Sequence, residues 1–195
     1  MRRRFMAKDE DLKRYIDALE ETVYEAVDDD VDVDDELDED DGGIEVKDDD
    51  IMKMLLTALA DEWLASYQYW VCANLIRGNG RCDCMDEFKQ HEKEEKDHAD
   101  KIIERIKQLG GKPLTNPCEW INAGNPWTEV TSTDACEQLS ITIKAEEDAI
   151  AYYQKIIEAC KGRDEVTKRL ARSIMADECE HLYDLQMLRE EFCGE

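Results

Sequence analysis

The sequence predicts an all-α protein whose main part is a bundle of four long helices. The 195 residues include only 9 glycines and 3 prolines, fewer than a turn-rich β fold would need. From residue 51 onward, apolar side chains recur at helical rather than alternating spacing. The breaks between these apolar stretches are short, except for one of about 24 residues in the middle. Together these features predict two helical hairpins joined by one long crossover.

The first 50 residues differ in composition from the rest. They hold 22 acidic and 7 basic residues, a net charge of −15 out of −25 for the whole chain. Apolar side chains at helical spacing over residues 8–27 predict an amphipathic helix behind a basic tip, both within a segment 1–27. Residues 28–50 are so dense in like charges that we predict a disordered acidic linker, with a cation-collecting or partner-binding tail as the alternative. The bundle is predicted to occupy residues 51–195.

Glycines and prolines define the ends of the predicted helices. These helices cover about residues 49–77, 85–109, 134–160 and 164–192. Gly110 and Pro113 follow the second helix, as expected at a helix end. The short loops make the first and second helices antiparallel neighbours, and likewise the third and fourth. The ordered connection over residues 110–133 is long enough to run the height of the bundle.

The charge and the apolar pattern exclude several classes of function. A net charge of −25 argues against a nucleic-acid partner, because phosphate binding needs a basic surface. It is compatible with attracting cations. No apolar run reaches the roughly 18–20 residues of a membrane span, so no membrane partner is expected. No apolar segment follows the basic start, so we expect no secretory signal and a cytoplasmic location. In that location we expect the cysteines to be thiols or metal ligands.

Two Glu-x-x-His motifs point to metal chemistry. Glu95 and His98 form one motif on the second predicted helix, and Glu178 and His181 form the other on the fourth. A separation of three residues puts both side chains on one helical face, where a carboxylate and an imidazole can bind the same ion. Because the sequence is rich in acids, one such match alone would be weak evidence.

Each predicted helix carries an ionisable side chain in the middle of its apolar stripe. Glu62 lies in line with Leu55, and Glu146 is preferred over Glu147 because Glu147 would align with Lys144 on a poor core face. Unpaired carboxylates in a bundle core would be costly, whereas a metal ion would compensate their charge. The sequence therefore predicts a dinuclear site with the ligands Glu62, Glu95, His98, Glu146, Glu178 and His181.

With these residues in place, the chain from about 51 to 193 resembles the ferritin-like superfamily, in its bacterioferritin and Dps-like (thioferritin-type) branch. The segment ALADEWLASYQYW at 58–70 is similar to the first helix of Dps-like relatives, and the two Glu-x-x-His motifs match bacterioferritin ferroxidase centres. The resemblance implies a ferritin-like four-helix bundle with one long crossover. It also implies that Glu62 and Glu146 are terminal ligands and that Glu95 and Glu178 bridge the two metal ions. His98 and His181 would each bind one metal ion, and Tyr69 would support the centre from behind the ligands.

Three departures from the relatives matter. Lys96 stands where bacterioferritin carries its haem-binding methionine, so no haem is expected. Asp148 stands where the thiol-containing Dps-like subgroup has a cysteine, so that subgroup's disulfide is not carried over. Cys82 and Cys84 are separated by one residue only, unlike the paired Cys-x-x-Cys motifs of a rubrerythrin.

The activity implied by the resemblance is oxidation of Fe(II) at a di-iron centre with H2O2 or O2, and storage of the ferric product. The relatives imply a homo-oligomeric cage, with twelve subunits favoured over twenty-four. The ligand set would also suit manganese. Two alternatives remain: a di-iron or di-manganese oxidoreductase or catalase that stores no iron, and a cargo or interaction protein docked through its N-terminal segment.

The cysteines and one histidine leave further alternatives open. The topology places five cysteines toward the same end of the bundle: Cys72, Cys82, Cys84, Cys136 and Cys193. They could be free thiols, form a disulfide or hold a soft metal ion. His91 lies on the same helical face as Glu95 and His98. We expect a surface histidine there, with an iron guide or a ligand for a third ion as the alternative.

Overall fold

A computed structural model of the chain describes residues 48–194, which are mostly helical. The helices are α1 (Asp48–Leu75), α2 (Arg81–Gln108), α3 (Pro117–Ala123), α4 (Ala135–Ala159) and α5 (Glu165–Cys193). The four long helices confirm the predicted all-α bundle, and the path from α2 to α4 is the predicted long crossover. The predicted N-terminal amphipathic helix and most of the predicted acidic linker fall outside the described residues.

The two helical hairpins pack as the loop lengths predict. Helix α1 packs along α2, and α4 packs along α5. The crossover contains one element that the sequence did not predict, the short helix α3, which packs on α1. Asn116 begins α3 by accepting a hydrogen bond from the backbone N–H of Cys118, and Pro117 occupies the first turn, where its missing N–H costs nothing.

Local side-chain and backbone features define the helix ends. Helix α2 begins at Arg81, four residues earlier than predicted, behind Gly80 with a left-handed φ of 71°. Asp134 begins α4 by accepting hydrogen bonds from two backbone N–H groups. Asp164 begins α5 by accepting a hydrogen bond from the backbone N–H of Thr167, and it also faces the Arg105 guanidinium of α2 at 2.8 Å. This last contact joins a helix end to a neighbouring helix.

The core consists of two apolar clusters along the bundle. One contains Leu59, Ile106 and Ile174, and the other contains Phe88 and Leu185. Between these clusters, each long helix contributes buried glutamate or histidine side chains to a polar layer. None of the helices within residues 48–194 is long and apolar enough to cross a membrane.

Of the five cysteines expected at one end of the bundle, two form a disulfide, which was one of the alternatives, and three are free thiols. Cys136 in the first turn of α4 and Cys193 at the end of α5 form a disulfide, because these antiparallel helices bring the two ends together. Cys72 and Cys84 are buried free thiols, and Cys82 is an exposed one. Burial raises the pKa of Cys72 to about 12 and that of Cys84 to about 11, so both are protonated at neutral pH. Within residues 48–194, the groups of potential metal ligands contain no cysteine.

Candidate metal centre

The six predicted ligands meet in the polar layer of the bundle. Helices α1 and α4 each supply one glutamate, while α2 and α5 each supply a Glu-x-x-His pair. All six residues are at most 3% exposed. Helical spacing on four separate elements thus brings four carboxyl groups and two imidazoles into one water-poor space.

The ligand atoms fall into two overlapping groups. One group contains Glu62 and His98, the other contains Glu146 and His181, and both include Glu95 and Glu178. Within each group the ligand atoms all lie within 4.8 Å of one another. His98 Nδ1 lies 3.1 Å from Glu178 Oε1, and His181 Nδ1 lies 3.0 Å from Glu178 Oε2. This is an arrangement in which two ions could share two carboxylates.

The hydrogen bonding of these atoms indicates that cations belong there. Both imidazole Nδ1 atoms, both Glu178 oxygens and one oxygen each of Glu62 and Glu95 are buried without a hydrogen-bond partner. Buried polar atoms without a partner are costly, and a pair of metal ions, one in each ligand group, would satisfy them. Carboxylate and imidazole donors suit iron and manganese. The residues present therefore fit a dinuclear site.

The charges in this layer perturb one another strongly. Burial, and next the charges of Glu178 and Glu95, raise the pKa of Glu62 and of Glu146 well above the ordinary value. Burial works against a charged Glu95, but the adjacent imidazoles of His181 and His98 prevail and lower its pKa. Burial likewise opposes charged imidazoles, yet the surrounding carboxylates raise the pKa of His98. The same burial and mutual repulsion of carboxylates that favour protonation of Glu62 and Glu146 would also favour a bound cation.

Two buried tyrosines support Glu62 and Glu146, the carboxylates that each belong to only one ligand group. The Tyr69 hydroxyl donates a hydrogen bond to Glu146, and the Tyr153 hydroxyl donates one to Glu62. Tyr69 was predicted to support the centre, but its partner is on α4 and not on its own helix. Tyr153 was not predicted, although a signal was present: it follows Glu146 by seven residues, as Tyr69 follows Glu62.

Two further carboxylates that the sequence did not point to orient the histidines. His98 Nε2 lies 3.1 Å from Asp177 Oδ2, and His181 Nε2 lies 2.9 Å from Glu94 Oε2. Each contact holds the ring with Nδ1 toward the centre, as is usual for metal-binding histidines. The two acids directly precede the shared glutamates in the sequence, and each serves the histidine of the opposite hairpin.

Comparison with known proteins places this arrangement in a family. The sequence model of a family described as "Ferritin-like domain" matches residues 52–192. The chain belongs to the ferritin-like family. The bacterioferritin of Brucella melitensis is 32% identical to it over 133 residues, which cover 68% of this chain and 78% of the relative. The resemblance to bacterioferritin is thereby confirmed.

Solved structures agree with this assignment. The bacterioferritin-related protein of Bacteroides fragilis, described as a dodecameric thioferritin, is 36% identical with a TM-score of 0.72, over 77% of this chain and 89% of that one. The Dps of Staphylococcus aureus has a TM-score of 0.70 at 15% identity, over 73% of this chain and 96% of that one. At that identity, the Dps similarity shows the fold alone.

The candidate metal centre of this ferritin-like protein can be reached from two faces. A cavity of about 130 Å³ reaches the carboxylates from the face of α1 and α4. Asp61 lines it, and burial raises the pKa of that carboxyl to about 6 against the hydrogen bonds from Asn125. A cleft of about 210 Å³ on the face of α2 and α5 reaches the outer sides of both ligand histidines. Small ions and small oxidants thus have space on either side.

The expectation that His91 is a surface residue was wrong. Its side chain is fully buried. Its ring stacks on that of His181 at a centroid distance of 4.0 Å and lies nearly perpendicular to the ring of Tyr69. The acid-rich sequence around it is typical of a solvated face, but His91 falls one turn before Glu95 on the stripe that α5 covers. Its Nε2 lies 3.1 Å from Glu87 Oε1.

Proposed function

We propose that this protein oxidises Fe(II) at the six-ligand centre, with H2O2 or O2 as the oxidant, and stores the ferric product. The observation that carries the proposal is the pair of overlapping ligand groups that share Glu95 and Glu178. Such a pair can hold two Fe(II) ions side by side, and two Fe(II) ions can supply two electrons to one oxidant molecule. Two electrons and two protons convert H2O2 to two water molecules, or O2 to H2O2, without the one-electron steps that release radicals.

The protein's own residues position the iron and manage its charge. Glu62 and Glu146 would each hold one ion terminally, and the shared glutamates would hold both. Because Glu62 and Glu146 bind protons tightly in the metal-free centre, Fe(II) binding would displace those protons. The tyrosine hydroxyls on these two carboxylates would keep them in place as the iron arrives and leaves.

A cage is the natural form for storage. The Bacteroides fragilis relative is described as dodecameric, which supports our proposal of a twelve-subunit assembly over one of twenty-four. The net charge of −25 would concentrate Fe(II) around the protein. Haem has no part in the proposal, since the exposed Lys96 follows Glu95.

Iron oxidation by purified variants tests the proposal. Glu95→Ala and His181→Ala should each abolish rapid Fe(II) oxidation, measured as ferric absorbance in air and with added H2O2. Glu146→Ala should do the same, whereas the matched control Glu147→Ala should not, since Glu147 is the exposed neighbour. Circular dichroism checks that the variants keep their helices. Unchanged rates in folded Glu95→Ala and His181→Ala proteins would refute the assignment.

A further inference from the structure

We propose that Glu87, His91 and Asp184 form a third cation site beside the six-ligand centre, for a divalent transition-metal ion such as Fe(II), Mn(II) or Zn(II). One ligand atom from each of the three side chains lies within 4.8 Å of the others. One imidazole and two carboxylates form a donor set that such ions accept. The site is separate from the six ligands and goes beyond the oxidation proposed above.

The state of His91 is the main evidence for a ligand. The residue is 0% exposed, and neither ring nitrogen has a hydrogen-bond partner. Nε2 approaches Glu87 Oε1 to 3.1 Å, but not in a hydrogen-bonding geometry. A buried imidazole without partners is costly, and imidazole nitrogen is a common metal ligand. An ion bound between Nε2 and the two carboxylates would remove that cost.

The other half of the bundle shows that packing does not require these polar residues. Relative to the Glu-x-x-His motif of its own helix, Glu87 corresponds to Leu170 of α5 and His91 corresponds to Ile174 of α5. In the same way, Asp184 corresponds to Lys101 of α2. Ile174, the equivalent of His91, is fully buried in the apolar core. An aliphatic side chain therefore satisfies the same place in the bundle. The polar triad is a feature of one half only, which indicates a role beyond packing.

The surroundings make the site accessible and attractive to cations. Asp184 lines the cleft of about 210 Å³ between α2 and α5, and the Glu87 side chain is 25% exposed. Burial, with the nearby charges of Glu87 and Glu180, raises the pKa of Asp184 to about 6. Crowded carboxylates of this kind favour a counter-cation. Because the His91 ring stacks on His181, an ion held there would stand directly beside the six-ligand centre.

Anaerobic Mn(II) binding tests this proposal without iron oxidation. Anomalous diffraction from wild-type crystals soaked in Mn(II) should show a peak at bonding distance from His91 Nε2 and both carboxylates. In solution, Glu87→Gln/Asp184→Asn should bind one Mn(II) per chain fewer than the wild type. A matched control, Asp86→Asn/Glu190→Gln, removes the same charge from exposed positions of the same helices and should bind as the wild type does. The amide replacements are nearly isosteric and should not impair folding.

The outcomes separate this site from the six-ligand centre. Peaks at the six-ligand centre with none at His91 would overturn the third site and leave the proposed oxidation intact. A peak at His91 with an empty six-ligand centre would support the third site and count against the proposed function. Equal Mn(II) binding by wild type and by Glu87→Gln/Asp184→Asn would also overturn the third site.

Discussion

Replacing Glu94 with alanine should weaken metal binding at the six-ligand centre even though Glu94 is not one of its ligands. The Glu94 carboxylate lies 2.9 Å from His181 Nε2 and holds the ring with Nδ1 toward the shared glutamates. The contact also lowers the pKa of Glu94, which shows that the pair is favourable. Without the Glu94 carboxylate, the His181 imidazole is a weaker ligand for a metal ion, and its ring is free to rotate away from the shared glutamates.

The structure sets the size of the effect. Loss of a carboxylate behind a metal-binding histidine lowers metal affinity by roughly 10-fold to 100-fold. The Glu94 side chain is 41% exposed, so water can replace part of the hydrogen bond. We therefore expect the lower end of that range, about 10-fold or about 1.4 kcal/mol. Asp177→Ala should have a smaller effect, because Asp177 also contacts Lys101 at 3.4 Å.

Anaerobic Mn(II) titration followed by a competing chelating dye measures these affinities directly. Asp100→Ala is the matched control, since Asp100 is an exposed acid on the same helix. The wild type and the control should agree, and Glu94→Ala should bind about 10-fold more weakly. A Glu94→Ala affinity within about twofold of the control would show that the contact does not orient His181, and would refute this reasoning.

Three further predictions concern stability. Metal-free protein should lose stability as the pH rises above 4.5, because Glu62 and Glu146 have raised pKa values in the folded protein and release protons on unfolding. Calorimetry should show the unfolding temperature falling as the pH rises, and an unfolding temperature that does not change would contradict this. Opening the Cys136–Cys193 disulfide, which spans 57 residues, should lower the free energy of unfolding by about 2–4 kcal/mol, measured by urea denaturation of Cys136→Ser. Asp164→Ala removes a helix cap and an ion pair with α2, and should cost about 2 kcal/mol in the same assay; a loss below about 0.5 kcal/mol would count against that role.

The convergence of the candidate ligand glutamates and histidines could be predicted from the sequence because their positions follow from helical periodicity. Glu62 and Glu146 stand out since an acid in the middle of an apolar stripe needs a compensating partner. Tyr153 shows the limit of this reasoning. Its partner, Glu62, is on another helix, and the contact depends on how α1 and α4 are aligned along the bundle. The spacing within one helix carries no information on that alignment.

The remaining differences have similar causes. His91 lies in a stretch crowded with acids and lysines, and its burial depends on the cover that α5 provides. The seven residues of α3 are too few for a periodic pattern, so only its Asn-Pro start could have indicated a helix. The pairing of Cys136 with Cys193 depends on two helix ends that meet only once the bundle has formed.

Iron loading tests the central claim most directly. Purified protein receives increasing amounts of Fe(II) with air or H2O2, is sedimented, and is assayed for iron per chain. The proposed function predicts rapid oxidation and many iron atoms per chain, all travelling with one large particle. About two iron atoms per chain on a small particle would contradict storage and would favour a di-iron oxidoreductase that forms no mineral.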